Sequence, residues 1–199
     1  MSAYLAGLGT ALSLIVAIGA QNAFVLKQGL MRRHVLAVCV FCALSDAVLI
    51  SAGVLGAGAI AAAAPWFMAA MRWGGAAFLL AYGARAFRAA WRGGGVLRAG
   101  TEGGAGLGAT LLVLAGLTWL NPHVWLDTVV LIGSVSAGWE NKAGFVAGAV
   151  SGSVLFFLTL GYGARRLSPL FVRPGAWRVL DGLVGLVMWA VGLGLVLRG

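Results

Sequence analysis

The sequence predicts an all-α integral membrane protein with six transmembrane helices, arranged as two inverted three-helix repeats with broken helices at spans one and four. Three observations predict this fold. Of the 199 residues, 61% are hydrophobic and only 10% are charged, whereas soluble domains carry about 25% charged residues. Apolar runs of about 20 residues, long enough to cross roughly 30 Å of hydrocarbon, recur along the chain. The basic residues cluster between alternate runs.

Six apolar runs define the predicted spans, at about residues 4–26, 35–58, 67–90, 107–134, 143–164 and 177–197. The first run is interpreted as a retained span because no Lys or Arg precedes it, as a secretory signal would require. We interpret residues 1–199 as a single membrane transport domain. Its halves, about 4–92 and 106–198, are joined by a Gly-rich cytoplasmic connector over 93–106.

The basic residues predict the orientation of the chain. Eleven of the 14 Lys and Arg residues lie around the loops that follow spans one, three and five. Cytoplasmic loops carry an excess of such residues, so both termini are predicted to face outward. A five-span alternative, with the N-terminus inside, would make the first run re-entrant. This interpretation also accounts for the net charge of +9 without a nucleic-acid partner.

A short repeat supports the inverted arrangement. "GLGTAL" at Gly7–Leu12 resembles "GLGATL" at Gly106–Leu111, 99 residues later, and at the same offset Asn22 corresponds to Asn121. Each half contains three spans, an odd number, so the second half must lie upside down relative to the first. Inverted repeats are typical of secondary transporters, which bind their substrates at the repeat interface near the bilayer midplane.

Polar groups interrupt the first span of each half. "IGAQNAFVLKQGL" contains Gln21 and Asn22, and "TWLNPHVWLD" contains Asn121, Pro122 and His123. Pro122 removes a backbone donor and disrupts the helix, and non-helical backbone in a membrane persists only where it is buried in protein or lines a cavity. These five residues are therefore predicted to line a polar cavity. His123 is predicted either to contact the substrate or to make a structural hydrogen bond.

Asp46, in "CALSDAVLI", is predicted to be the charged group of that cavity. It lies about 16 Å into span two, close to the midplane, where an ionisable side chain is by default a functional hypothesis. The structural alternative is an ion pair with Arg72. Asp127, near the outer end of span four, is predicted to have an interfacial or gating role. Asp181 is predicted to form an interfacial pair with Arg178.

The second half has no counterpart of this carboxylate. "AVSGSVL" in span five resembles "ALSDAVL" in span two, with Gly152 where Asp46 stands. Ser151 and Ser153 are predicted to leave a small polar pocket opposite the carboxylate.

Cys39 and Cys42 form a CxxC within span two, which raises the alternative of a membrane thiol–disulfide carrier. Apolar surroundings make thiols unreactive, so we interpret both as packing residues. The sequence contains no phosphate-binding loop, no nucleophile–His–Asp pattern and no metal-ligand spacing. We therefore predict a protein that is not an enzyme and has no cofactor and no metal site. A passive channel or structural subunit stays as a further alternative.

With these residues in hand, the sequence resembles the L-lysine exporter family, which includes arginine exporters. The resemblance covers nearly the whole chain and rests on "GAQNAFVLKQGL", "CALSDAVLI", "RWGGAAFLLAYGARAFR" and "TWLNPHVWLDTVVLIGS". Ala20 departs from the family's usual Gly-Pro-Gln-Asn motif. The neighbouring homoserine and threonine exporters usually have Lys where His123 stands.

The resemblance implies a multi-pass protein of the bacterial cytoplasmic (inner) membrane that exports L-lysine or L-arginine, driven by an ion gradient. Exchange for protons would cancel the electrical cost of moving a cation outward, about 2.3 kcal/mol per 100 mV. Asp46 would hold either the cation or a proton, while Asn22, Asn121 and the opened backbone near Pro122 coordinate the amino acid. Neutral amino acids or a metal cation are alternative substrates. The sequence leaves open whether the protein is a homo-oligomer.

Overall fold

The computed structural model of the chain describes residues 2–16, 19–56, 65–92, 106–167, 169, 171 and 174–197. Within these ranges the regular structure is helical, in the following elements: α1 Ala3–Ile15, α2 Ala20–Met31, α3 Val35–Val54, α4 Pro65–Arg92, α5 Leu107–Trp119, α6 Pro122–Ser136, α7 Lys142–Leu167 and α8 Pro174–Leu197. The predicted connector over 93–106 lies outside the described residues apart from Gly106, the N-cap of α5.

Two pairs of consecutive helices are bent where the sequence predicted broken spans. α1 and α2 meet at 85°, and α5 and α6 meet at 61°, each across a break of at most four residues. Local chemistry explains both positions. Gly19, in extended backbone, is the N-cap of α2, and Pro122, which has no N–H to donate, is the first residue of α6. The predicted helix breaks are present at both places.

Length and composition mark up to five candidate spans among the described residues. They are α3, α7, α8 from Gly175 onward, and each of the two bent pairs counted as one span. α4 is 28 residues long and overlaps the third predicted span, but it carries four arginines and is not among these candidates. The chain is thus all-helical over the described residues, and the count of six spans stays a prediction.

The main helix contacts of each half have counterparts in the other half. α4 packs mainly along α8, α1 and α2 pack on α7, and α5 and α6 pack on α3, which also contacts α7. The backbones of α1 and α7 are in close contact: a Cβ atom on Gly7 would meet the carbonyl oxygen of Phe145, and one on Gly148 would meet that of Tyr4. The inverted repeat itself stays a prediction, which this packing supports.

Two arginines join α4 and α8 in a reciprocal way. Arg72 of α4 donates its Nε and Nη2 hydrogens to the last-but-two and last-but-one carbonyls of α8, at 2.7 and 3.1 Å. Arg178 of α8 donates from the same two nitrogens to the same two positions at the end of α4, at 3.1 and 2.8 Å. The final carbonyls of a helix lack internal partners and favour cations. Each arginine therefore caps the other helix.

The register predicted for the repeat is wrong. α1 and α5, both 13 residues long, begin 104 residues apart, and α2 and α6 begin 102 residues apart. At the predicted offset of 99, buried Gly7 inside α1 would match Gly106, which precedes α5. Gly19 and Asn121 are each the N-cap of the helix after the break, whereas Asn22 lies inside α2. A Gly- and Leu-rich hexamer recurs too easily to fix a register.

Candidate functional site

A cavity of about 220 Å³ lies between the two helix breaks. Its walls come from α1, α2, α3, α6, α7 and α8, so both halves of the chain contribute. Six of the seven residues predicted from the sequence line it, and they are Gln21, Asn22, Asp46, Asn121, His123 and Asp127. Pro122 is not among the lining residues and acts by starting α6. The structure thus brings the predicted polar residues together around one space.

At the first break, Asn22 supports the backbone. Its side-chain nitrogen donates to the carbonyl of Ile15, the last residue of α1, at 2.7 Å. Within a membrane a carbonyl freed by a helix break needs a partner, and Asn22 supplies one while also lining the cavity. Its contribution to the site therefore includes holding the break open.

The second break has an equivalent support. Asn121, in extended backbone, accepts a hydrogen bond from the N–H of His123 at 3.1 Å through its side-chain oxygen, and so caps α6. The indole N–H of Trp125 donates to the carbonyl of Trp119, the last residue of α5, at 3.0 Å. In both halves, a side chain beyond the break thus bonds the final carbonyl of the preceding helix.

Gln21 brings an unpaired donor to the cavity. Its side chain is 7% exposed, and its amide nitrogen has no hydrogen-bond partner within the described residues. The thiol of Cys42 is a polar neighbour, and sulfur is a weak acceptor. A buried donor without a partner is unfavourable, so a ligand oxygen in the cavity would stabilise it.

Asp46 supplies the cavity's buried carboxylate. It is 5% exposed, and its Oδ2 accepts a hydrogen bond from the hydroxyl of Ser153 in α7 at 2.6 Å. Ser153 is one of the two serines predicted to face this carboxylate. Arg72, the predicted alternative partner, is bonded to the end of α8 instead, and Asp46 forms no ion pair within the described part of the chain. The carboxylate is available to a cation or a proton.

His123 and Asp127 form the other wall, on α6. They are four residues apart, which places them on one face of a helix, and they interact electrostatically. Asp127 lies in a π-helical segment, Leu126–Leu131, which also turns the buried Thr128 toward the cavity. π-Helical segments occur frequently at functional sites. No pattern in the sequence indicated this segment or Thr128.

Comparison with known proteins identifies the family. The model of the LysE type translocator family matches residues 12–199, nearly the whole chain. This chain belongs to the LysE type translocator family. The resemblance inferred from "LNPHVWLD" and the other motifs is confirmed, and the protein is a multi-pass membrane protein.

Individual relatives of this translocator are bacterial. The arginine exporter protein ArgO of Yersinia enterocolitica is 42% identical over 201 residues, covering 100% of this chain and 98% of that protein. Mb0498 of Mycobacterium bovis and Rv0488 of Mycobacterium tuberculosis, both named as candidate amino-acid transporters, are each 45% identical over 183 residues, covering 92% of this chain and 90% of theirs. No solved structure matches the chain significantly.

One predicted ion pair of this LysE type translocator is wrong. Asp181 was expected at the membrane surface beside Arg178, but it is 2% exposed and pairs with Lys27 of α2. The reason is that Arg178 is already bonded to the end of α4. Asp181 lies almost one turn further along α8 and pairs with a cation from α2 instead.

The two cysteines of the translocator are not among the residues that line the cavity. Both are free and buried, at 1% and 0% exposure, and the Cys39 thiol donates to the carbonyl of Phe157 at 3.1 Å. This environment is that of packing residues. No three His, Cys, Asp or Glu side chains come together as a metal site in the described ranges.

Proposed function

We propose that this chain is a secondary active transporter that exports basic amino acids, L-lysine or L-arginine, across the bacterial cytoplasmic membrane in exchange for protons. The observation that carries the proposal is Asp46, a buried carboxylate without a cationic partner in the described residues, facing a cavity between two broken helices. The name of the Yersinia relative, an arginine exporter 42% identical over the whole chain, supports the substrate class.

The size and polarity of the cavity suit an amino acid. Pockets for drug-sized ligands measure roughly 300–1,000 Å³, and a cavity of about 220 Å³ suits a smaller solute. Polar groups line it on two sides, with Gln21 from α2 and Asn121 from α6. We assign the buried amide nitrogen of Gln21 to the substrate's α-carboxylate and Asp46 to a cationic group of the substrate. Asn22 and Asn121 hold the opened backbone around it.

Energetics favour exchange over simple export. Moving a monovalent cation out against an inside-negative potential costs about 2.3 kcal/mol per 100 mV. One proton moving inward for each substrate cation cancels that electrical cost. A single carboxylate that binds the cation or a proton, but not both together, is sufficient to couple the two movements. Asp46 has the position that this role requires, and among the described residues it has no cationic partner.

The proposed arrangement in the membrane has six spans and both termini outside. The main helix contacts, which have counterparts in both halves, and the reciprocal capping of α4 and α8 support a repeat of this kind. The cavity then lies at the interface between the repeats, as in other transporters with inverted repeats.

The proposal is tested by flux measurements in proteoliposomes. We expect labelled lysine and arginine to exchange saturably with unlabelled substrate, and an imposed pH gradient to drive net flux of both. Alanine and threonine serve as neutral competitors of similar backbone chemistry, and are expected to compete at least about tenfold more weakly because they lack the cationic group. Flux of the neutral amino acids alone, in folded protein, would contradict the proposed substrate class.

Gln21→Leu tests the assignment of the substrate carboxylate. A hydrogen bond to a charged group contributes about 1.5–3 kcal/mol, so we expect the half-saturating concentration of arginine to rise by about tenfold or more. The folded state should be little affected, because the amide nitrogen has no partner to lose within the described residues. Gln28→Leu, the same change on α2 outside the cavity lining, is the matched control. Equal effects of both variants on half-saturation would contradict the assignment.

A further inference from the structure

A second buried carboxylate lies outside the cavity lining, in an ion pair that the proposed function does not use. Asp181 of α8 is 2% exposed, and its carboxylate accepts a hydrogen bond from the ammonium group of Lys27 in α2. Lys27 follows the start of α2, Ala20, by seven residues, which places it about 10 Å along the helix from the break. In the proposed orientation the ion pair lies between the cavity and the cytoplasm.

One aromatic side chain lies within electrostatic range of this ion pair. Tyr82 of α4 lies within electrostatic range of Asp181, and its ring meets that of Phe24 at a centroid distance of 6.1 Å. Phe24 is 3% exposed and lies almost one turn before Lys27 on α2, on the side of the cavity. A carboxylate binds ammonium and guanidinium groups through charge-assisted hydrogen bonds.

Holding α2 against α8 does not by itself explain an ion pair whose carboxylate is buried and whose ammonium group comes from a partly exposed side chain. Removing two charges from water cancels much of their attraction, and apolar side chains of similar volume often stabilise a protein as well or better. The pair also joins helices whose remaining contacts are few, since α8 packs mainly on α4. The ammonium group that Asp181 binds is, moreover, the same chemical group as the side-chain terminus of lysine.

We propose that Asp181 is a second binding position for the substrate's cationic group, on the cytoplasmic side, and that Lys27 is a tethered cation that occupies it in the absence of substrate. This inference rests on the proposed function. An entering lysine or arginine displaces the ammonium group of Lys27, which releases α2 from α8 and opens a path past Phe24 to the cavity. When the substrate moves on to Asp46, Lys27 returns to Asp181 and closes the path behind it.

Exchanging the two charges separates this role from a structural one. The double variant Lys27→Asp/Asp181→Lys restores an ion pair between α2 and α8, and we expect its melting temperature in detergent to exceed those of both single variants. In this double variant, position 181 carries a positive charge, which repels the cationic side chain of the substrate. We therefore expect the half-saturating concentration of arginine on the cytoplasmic face to rise by at least about tenfold. A double variant with wild-type melting temperature and wild-type half-saturation would overturn the inference.

Removal of the tethered cation gives an independent test. In Lys27→Ala, Asp181 keeps its charge and loses its competitor, so we expect added arginine to raise the melting temperature more than it does in the wild type. Norleucine, which has a neutral side chain, should not reproduce the effect. Lys27→Ala/Asp181→Asn, which has neither charge, is the control and should lose the additional shift. Equal shifts with arginine and norleucine, or equal shifts in both variants, would contradict a cation site at Asp181.

Different results would contradict the proposed function and the proposed role of Asp181 and Lys27. Wild-type protein that carries neither lysine nor arginine contradicts the proposed function. Wild-type protein that carries them, with unaltered half-saturation in the charge-exchanged variant, contradicts only the role of Asp181 and Lys27. If Lys27→Ala does not fold, the charge-exchanged variant still decides the question, because it retains the ion pair.

Discussion

Asp46→Asn is expected to abolish pH-gradient-driven export of arginine while leaving the protein folded. The amide keeps the shape of the side chain and can still bond to Ser153, which now bonds the carboxylate at 2.6 Å. It can neither carry a proton in exchange nor pair with a cation. A charge-assisted contact contributes about 1.5–3 kcal/mol, so substrate affinity alone should fall by about ten- to a hundredfold, and coupling to protons should vanish. Proteoliposome flux with and without a pH gradient measures both.

Two further variants separate charge from geometry at the same position. Ser153→Ala removes the hydrogen bond and keeps the carboxylate, so coupling to the pH gradient should persist with a weaker effect on half-saturation. Asp46→Glu keeps the charge but moves it by about the length of one methylene group, and should retain some coupled flux. If Asp46→Asn transports arginine with undiminished response to the pH gradient, Asp46 is not the coupling group.

Predictions from the sequence succeeded where the chemistry of one residue determines its environment. A carboxylate deep in an apolar run needs a cavity or a partner, and Asp46 lies in the cavity wall. Pro122 has no N–H to donate, so it breaks the fourth predicted span whatever the surrounding helices do. Gly19 and Ala20 gave a weaker signal, yet α2 begins after Gly19 in the same way. Local constraints of this kind were sufficient to place five of the six residues predicted for the cavity in its lining. Pro122 lies outside the lining, and Asp127, predicted for an interface or gate, lines the cavity instead.

Predictions failed where a choice of partner depends on packing between distant segments. Lys27 and Asp181 are 154 residues apart along the chain. Arg178 is only three residues from Asp181, and this proximity led to the prediction that the two form an ion pair. The structure uses Arg178 at the end of α4, which no local pattern indicates. The π-helical segment Leu126–Leu131, which packs on α3, also has no sequence signature.

The close contact between α1 and α7 leads to the second large expected effect, on stability. Gly7→Ala is expected to destabilise the protein by roughly 1–3 kcal/mol, the typical cost of overpacking, because the new Cβ atom meets the carbonyl oxygen of Phe145 on α7. Backbone cannot move aside as a flexible side chain can. The matched control is Gly9→Ala in the same helix, where no atom lies within 4 Å of the new Cβ. That substitution should be neutral or stabilising by about 0.5–1 kcal/mol, as for Gly to Ala in other helices.

The same contrast is expected from the opposite side of this contact. On α7, Gly148→Ala meets the carbonyl oxygen of Tyr4, while Gly163→Ala meets no atom within 4 Å. Thermal unfolding in detergent should therefore rank Gly7→Ala and Gly148→Ala well below Gly9→Ala and Gly163→Ala. If the two α1 variants had equal melting temperatures, or the two α7 variants had, the packing of α1 on α7 would be contradicted.

Transport should respond to these substitutions in the same order, even at temperatures where all four variants are folded. α1 ends at Ile15, whose carbonyl is held by Asn22 across the first break, and Leu14 and Ile15 also line the cavity. A shift of α1 away from α7 therefore moves one wall of the cavity and strains the bond that supports the break. Gly7→Ala should raise the half-saturating concentration of arginine, whereas Gly9→Ala, on the exposed face of the same helix, should leave it unchanged.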